Sequence, residues 1–160
     1  MLHDDFKSAY SESFKKTMED MYLLEPKLDP FVDSESEFKA IDKPGVASMV
    51  GFVGKVKGRC LIWFPAALAK SVTEELLEES YSDYKDEDVL NNVAEMNNVV
   101  SGQAITILNN KHKLELDLAP PSVFAGDSFS ITTPKIANYK FQANINGQLL
   151  YVNLALEGGK

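Results

Sequence analysis

The stretch DEDVLNNVAEMNNVVSGQAITILNN, residues 86–110, decides how this chain folds. Its first turn is acidic (Asp86, Glu87, Asp88), which suits the positive end of a helix dipole. Asn109, Asn110 and Lys111 close it. At about 100° per residue, Val89, Val93, Met96, Val100, Ala104 and Ile107 fall on one stripe, expected to pack on a sheet. On the opposite side, within roughly 80° of arc, stand Asp88, Asn91, Glu95, Asn98 and Gly102. Glu95 and Asn98 are i and i+3, so their side chains are neighbours, and Gly102 lies one turn further on. A polar helix face is ordinarily just solvated. Here two features weigh against that. Asparagine is a mediocre helix former, yet Asn91, Asn92, Asn97 and Asn98 all sit in the interior. Gly102 costs roughly 1 kcal/mol relative to alanine. That cost makes sense where another group approaches closely, or where Ser101-Gly102 permits a bend.

Outward from this helix, the N-terminal side holds a second one. Phe6, Tyr10, Phe14, Met18 and Met21 recur at helical spacing over residues 4–24, and Pro26 ends the run. Residues 27–39 read as an irregular strand, and Pro44-Gly45 as a turn. Residues 46–64 read as a hairpin with Lys57-Gly58 at its turn. Pro65 suits the start of a helix through Ala66, Leu68, Val72, Leu76 and Leu77. After the long helix come β-like runs at Lys113–Leu118, Ser122–Phe124, Ser128–Thr132, Ile136–Ile145 and Gln148–Leu156, with Asn146-Gly147 as a hairpin turn. The pattern predicts one α+β domain over residues 1–160, a largely antiparallel sheet with long helices on one face. Each half is a helix followed by strands.

Composition narrows the function classes. A net charge of −8 gives no field for nucleic acid or anionic lipid, so neither is an expected partner. One cysteine, Cys60, allows no internal disulfide and fits a reducing, cytoplasmic setting. Leu2-His3-Asp4-Asp5 has no signal-peptide pattern, and the longest near-apolar run, Cys60 to Ala69, is too short to span a bilayer. His3 and His112 lie far apart with no ligand-like neighbours, which argues against zinc. Gly51, Gly54 and Gly58 lack phosphate-loop spacing. Cys60 and Trp63 read as core, and Lys55, Lys57 and Arg59 as the solvated side of a hairpin.

The run Ala94-Glu95-Met96-Asn97-Asn98-Val99-Val100-Ser101-Gly102 resembles the helix signature of the CheC/CheX/FliY phosphatases of bacterial chemotaxis. Glu95 and Asn98 fill its Glu-x-x-Asn, and Pro121 stands at the family's proline spacing. Pro120-Pro121-Ser122-Val123-Phe124-Ala125-Gly126 is similar to the Pro-Pro-x-Val-x-x-Gly stretch of CheX. The glycine-punctuated hairpin Gly51 to Arg59, Phe64-Pro65 and Val152 to Leu156 also fit, so the resemblance spans the chain. Four residues before Glu95, where the family carries Asp or Ser, stands Asn91. The first helix has Glu12 but Lys15 at the Asn position, which favours the one-site CheX arrangement over the two-site CheC one.

The resemblance implies a CheC-like fold and a phosphatase for the aspartyl-phosphate of a CheY-like response regulator. In such a partner, Mg²⁺ and a lysine already stabilise the phosphoryl charge. Only a water remains to be oriented, and an uncharged amide that both donates and accepts suits this. Asn98 is expected to position that water and Glu95 to contact the regulator's lysine, with Gly102 giving clearance and Asn91 on the rim. No cofactor of the protein's own is expected, Mg²⁺ coming with the phosphorylated receiver. A homodimer paired through sheet edges is implied as well. A non-catalytic receiver-binding adaptor or dimerisation module of the same fold is the alternative, kept open by Asn91.

Overall fold

Strict alternation along four long strands sorts the side chains of this chain into two faces. The computed structural model describes residues 2–33, 38–131 and 136–158. In chain order the elements are α1 (Leu2–Tyr22), β1 (Lys27–Leu28), β2 (Val32–Asp33), β3 (Phe38–Ile41), β4 (Gly45–Val53) and β5 (Lys57–Pro65). Then follow α2 (Ala66–Leu77), α3 (Glu87–His112), β6 (Asp117–Leu118), β7 (Ser122–Gly126), β8 (Phe129–Ile131), β9 (Ala137–Ile145) and β10 (Gln148–Glu157). Cys60, Ile62 and Phe64 of β5 alternate with Leu61 and Trp63, so the first set meets the helices and the second the opposite face. On the helix side, Val46, Phe52, Phe141, Val152 and Leu154 pack against Phe6, Tyr10, Phe14 and Met18 of α1 and Val93, Met96 and Val100 of α3. On the other side, Ala47, Leu61 and Trp63 are covered by Ile41, Phe129 and Tyr151.

Every strand pairing is antiparallel. The main sheet runs β1-β9-β10-β5-β4-β6, with β2 also on β9 and β7 also on β4, while β3 and β8 form a separate ribbon. The α+β class, with helices on one face of an antiparallel sheet, is therefore as expected. The chain also repeats itself. A helix, three short strands and a long hairpin occur twice, as α1 to β5 and as α3 to β10. The short strands of each half pair with the hairpin of the other, β1 and β2 on β9, β6 and β7 on β4.

Several boundaries differ from the sequence reading. The first hairpin turns at 54–56 rather than at Lys57-Gly58, and Gly58 lies inside β5. A side chain there would collide with the Ala155 carbonyl and the Phe52 ring. Of the expected strand Lys113–Leu118 only Asp117 and Leu118 pair, because Lys113 and Glu115 are left-handed (φ 51° and 56°). Arg59 is half-buried rather than solvated, its Nη1 3.3 Å from the Met49 sulfur. Residues 34–37 of the expected strand 27–39, and Thr132 of the run 128–132, lie outside the described residues.

The two long helices are tied at one end by charge. Asp5 accepts from Lys111 Nζ at 2.8 Å and contacts His112 Nε2 at 2.7 Å. The Lys111 bond, then that of His112, holds the Asp5 carboxyl below the usual aspartate value. The folded form thus ionises at lower pH than the unfolded one. Its contribution is complete above about pH 4 and drains away as pH falls through the folded value. Asp5→Asn should lower the melting temperature at pH 7 and flatten its decline between about pH 4 and pH 2. Circular dichroism melts across that range would check this, parallel acid limbs for both proteins counting against the ion pair.

Candidate functional site

Helix α3 is held at both ends before any of its faces is considered. Asp86 caps it by accepting from the Asp88 N–H at 3.0 Å. Lys113, left-handed, closes it by donating to the Asn109 carbonyl at 2.9 Å. Between the caps, the buried positions follow two rows of spacing four. They are Val89, Val93, Asn97, Ser101 and Ile105, and Asn92, Met96, Val100, Ala104 and Leu108. A spacing of four is longer than the helical repeat, so the buried stripe winds slowly round the helix. This is why Ile107, expected on the apolar stripe, is instead 37% exposed, and why Ile105 and Leu108 are buried.

The winding stripe separates the four interior asparagines. Asn97 is fully buried and donates to the Ser48 carbonyl of β4 and the Cys60 carbonyl of β5, both at 3.1 Å. Its own oxygen accepts from Ser101 Oγ at 3.0 Å. Asn92, also buried, donates to Thr73 Oγ1 of α2 at 2.9 Å and accepts from the Tyr22 hydroxyl of α1 at 3.0 Å. One carboxamide thus pins α3 to the sheet and the other ties it to both neighbouring helices. The sequence reading counted these two only as poor helix formers in the helix interior and missed them as anchors. Their phase shows the difference, since Asn97 lies four residues after Val93 and Asn92 four before Met96.

Asn91 and Glu95 are exposed, and Asn98 and Gly102 are half-buried, so the structure brings the four expected site residues onto one outward face. Among the described residues neither Glu95 nor Asn98 has a hydrogen bond or ion pair from its own side chain. Burial pushes the neighbouring Tyr22 phenol up, and the Glu95 charge adds to this against the Asn92 bond. Asp88, the fifth member of the expected face, is engaged by the Tyr81 hydroxyl at 3.0 Å. The helix runs unbroken through Ser101-Gly102. A Cβ on Gly102 would meet only Leu118 Cδ1, at an ordinary 3.8 Å, so nothing in the chain itself requires a glycine there. Beyond Leu118, the Ala119 N–H donates to the Gly51 carbonyl at 2.8 Å, which fastens the Pro120-Pro121 stretch to β4. Among the described residues no group of three or more His, Cys, Asp or Glu gathers as a metal site, and no helix is long and apolar enough to cross a membrane.

The helix pair on a sheet of internally repeated halves, with a polar pair on the outer face of the second helix, defines a protein of the CheC-like class. A CheC-like superfamily protein from Shewanella sp. PV-4 superposes with a TM-score of 0.85 at 25% identity, covering 96% of this chain and 98% of that one. The chemotaxis protein CheX from Desulfovibrio desulfuricans gives 0.83 at 22% identity, covering 95% and 99%. The CheX of a CheX-CheY-BeF3-Mg²⁺ complex from Borrelia burgdorferi gives 0.74 at 24% identity, covering 94% and 97%. Residues 46–143 match the family described as chemotaxis phosphatase CheX, and the chain belongs to that family. No curated protein matches it.

Adjacent asparagines should behave oppositely. Asn97→Ala removes three buried hydrogen bonds and takes from the Ser101 hydroxyl its acceptor, at a cost of about 1–3 kcal/mol. Asn98→Ala should leave stability within about 0.5 kcal/mol of the parent, or raise it. Urea denaturation of both variants measures the contrast, and equal losses would mean that Asn98 carries structural load.

Proposed function

We propose that this protein is a phosphatase for the aspartyl-phosphate of a CheY-type response regulator, with Asn98 and Glu95 of α3 as its working side chains. One coincidence carries the reading. The family match covers residues 46–143, and within that span an exposed Glu95 and a half-buried Asn98 stand one turn apart with no side-chain partner of their own. A carboxylate and a carboxamide held outward on a pinned helix are available to another protein.

The chemistry is a hydrolysis shared between two molecules. The receiver brings the acyl phosphate, its Mg²⁺ and its lysine, which together neutralise the phosphoryl oxygens. The Asn98 carboxamide accepts from the attacking water and donates to the phosphoryl oxygen beside it. This holds the water in line with the phosphorus. The bond from phosphorus to the aspartate oxygen breaks, freeing the carboxylate and inorganic phosphate. Glu95 pairs with the receiver's lysine and sets the register of the two proteins. Asn91 lies on the rim of the contact. Gly102 leaves room for the receiver's backbone, which accounts for a helix glycine that the chain's own packing does not demand. A cytoplasmic receiver is the natural partner for a chain of this charge and cysteine content. Edge strand β7, with Phe124 41% exposed, is where a second copy would extend the sheet into a homodimer, a point for light scattering at micromolar concentration.

Two variants test the reading from different sides. Asn98→Ala should lower the rate of phosphate release from a phosphorylated receiver by on the order of 10²-fold or more while binding persists. Release that continues at the parent rate removes Asn98 from the mechanism. A parent protein that binds the receiver without accelerating release identifies the adaptor, the alternative favoured by Asn91 at the position where the family has Asp or Ser. Gly102→Ala should raise stability by up to about 1 kcal/mol and lower activity in the same protein. A variant more stable and equally active would show that no partner approaches there.

A further inference from the structure

We infer that the groove between α1 and α3, beside Gly102, is a second docking site for the response regulator, receiving a segment of the receiver next to its phosphorylated aspartate. The inference rests on the phosphatase reading for its partner and on separate residues for its evidence. Glu12, Ser13 and Lys16 of α1 face Gly102, Gln103, Thr106 and Ile107 of α3 across an open groove of about 460 Å³.

Four observations converge on this groove. Its floor holds Ser13, 1% exposed, whose hydroxyl has no hydrogen-bond partner. Gln103 Oε1 is likewise enclosed and unpartnered. A polar atom cut off from water without a partner is costly, so a turn of the side chain that brought it to an incoming N–H or O–H would relieve it. Ile107 is apolar and 37% exposed at the rim, where the winding stripe has carried it off the core. Glu12 and Lys16 make no ion pair among the described residues, although other lysines of α1 do.

Continuity with the Glu95–Asn98 face selects the occupant. Gly102 belongs to the groove and also stands one turn beyond Asn98, so a protein seated on Asn98 meets the groove next along the same helix. The chemistry fits an apolar side chain against Ile107 and Gly102. Next to it, a donor would reach Gln103 Oε1 once that half-buried side chain turns towards the groove, with charged neighbours for Glu12 and Lys16. A short segment satisfies this. The groove sits off the water-positioning residue, so it contributes binding and not chemistry.

The test uses a CheY-type receiver loaded with beryllofluoride and Mg²⁺ for binding, and the phosphorylated receiver for turnover. Ile107→Asp and Gln103→Ala, each alone, should weaken binding by about tenfold, as expected for one buried contact at an interface. They should raise KM by a similar factor and leave kcat within about twofold. Lys16→Glu should weaken binding in a way that added salt reduces. Melting curves matching the parent exclude a folding defect. Parent-like Kd and KM in all three variants overturn the groove while leaving the phosphatase intact. Binding that weakens in the variants while the parent releases no phosphate keeps the groove and removes the phosphatase. A receiver that does not bind the parent protein removes both.

Discussion

The bond pattern of the Asn97 carboxamide fixes which face of α3 meets solvent. A helix lying on a sheet through rows of small and branched apolar side chains has neighbouring rotations of similar packing energy. Asn97 removes that freedom, because its amide reaches two carbonyls on two strands at once and can do so in one orientation only. Successive residues on a helix are about 100° apart. A rotation that released Asn97 would therefore turn Asn98 towards the sheet and leave the buried Asn97 amide and the Ser101 hydroxyl without these partners. The cost of those unpaired buried groups enforces the orientation. Asn92 repeats the arrangement one and a half turns earlier, against α1 and α2.

The internal repeat explains why one helix carries the polar pair and the other does not. Both long helices end in a left-handed residue, Leu23 for α1 and Lys113 for α3. Counted back from these caps, Asp5, Ser8 and Glu12 of α1 stand where Glu95, Asn98 and Gly102 stand in α3. This register differs from the pairing of Glu12 and Lys15 that the sequence alone suggests. At the matched positions Asp5 is consumed by Lys111 and His112, a hydroxyl replaces the amide, and a glutamate occupies the site of the glycine. On α1 the carboxylate of the matched pair is therefore engaged and the amide is missing, whereas α3 keeps both groups open.

Periodicity made the α+β class, the long helices and the two hairpins legible, and the motif pointed to Glu95 and Asn98. What was missed was the role of the buried asparagines, although their phase with Val93 and Met96 places them inside. Spacing separates Asn97 from Asn98, but only the sheet shows which carbonyls the inner one reaches. Ile107 failed for a related reason. An ideal helical repeat assigns it to the stripe of Val89, while packing on a twisted sheet and a crossing helix shifts the stripe along rows of four. The hairpin turn was misplaced because Gly58 was read for its backbone freedom, when its role is to let the Phe52 ring and the Ala155 carbonyl approach.

On the proposed reading, charge decides what kind of phosphate this face accepts. The first turn of α3 carries Glu87 and Asp88, and Glu95 follows two turns on, in a chain of net charge −8. A free phosphate ester approaching Asn98 would meet that field with nothing to offset it. A receiver presents its phosphoryl group already flanked by a cation and a lysine, so the same carboxylate that repels the ester finds a partner at the moment of docking. On that reading Glu95 is a filter as well as a clamp. Because its benefit arises only in the complex, it has no reason to be paired within the chain. An unpaired carboxylate, an unpaired amide and a glycine that packing does not require share one side of a helix whose inner asparagines are bonded. On the proposed reading these groups find their partners together, when a second protein completes the site.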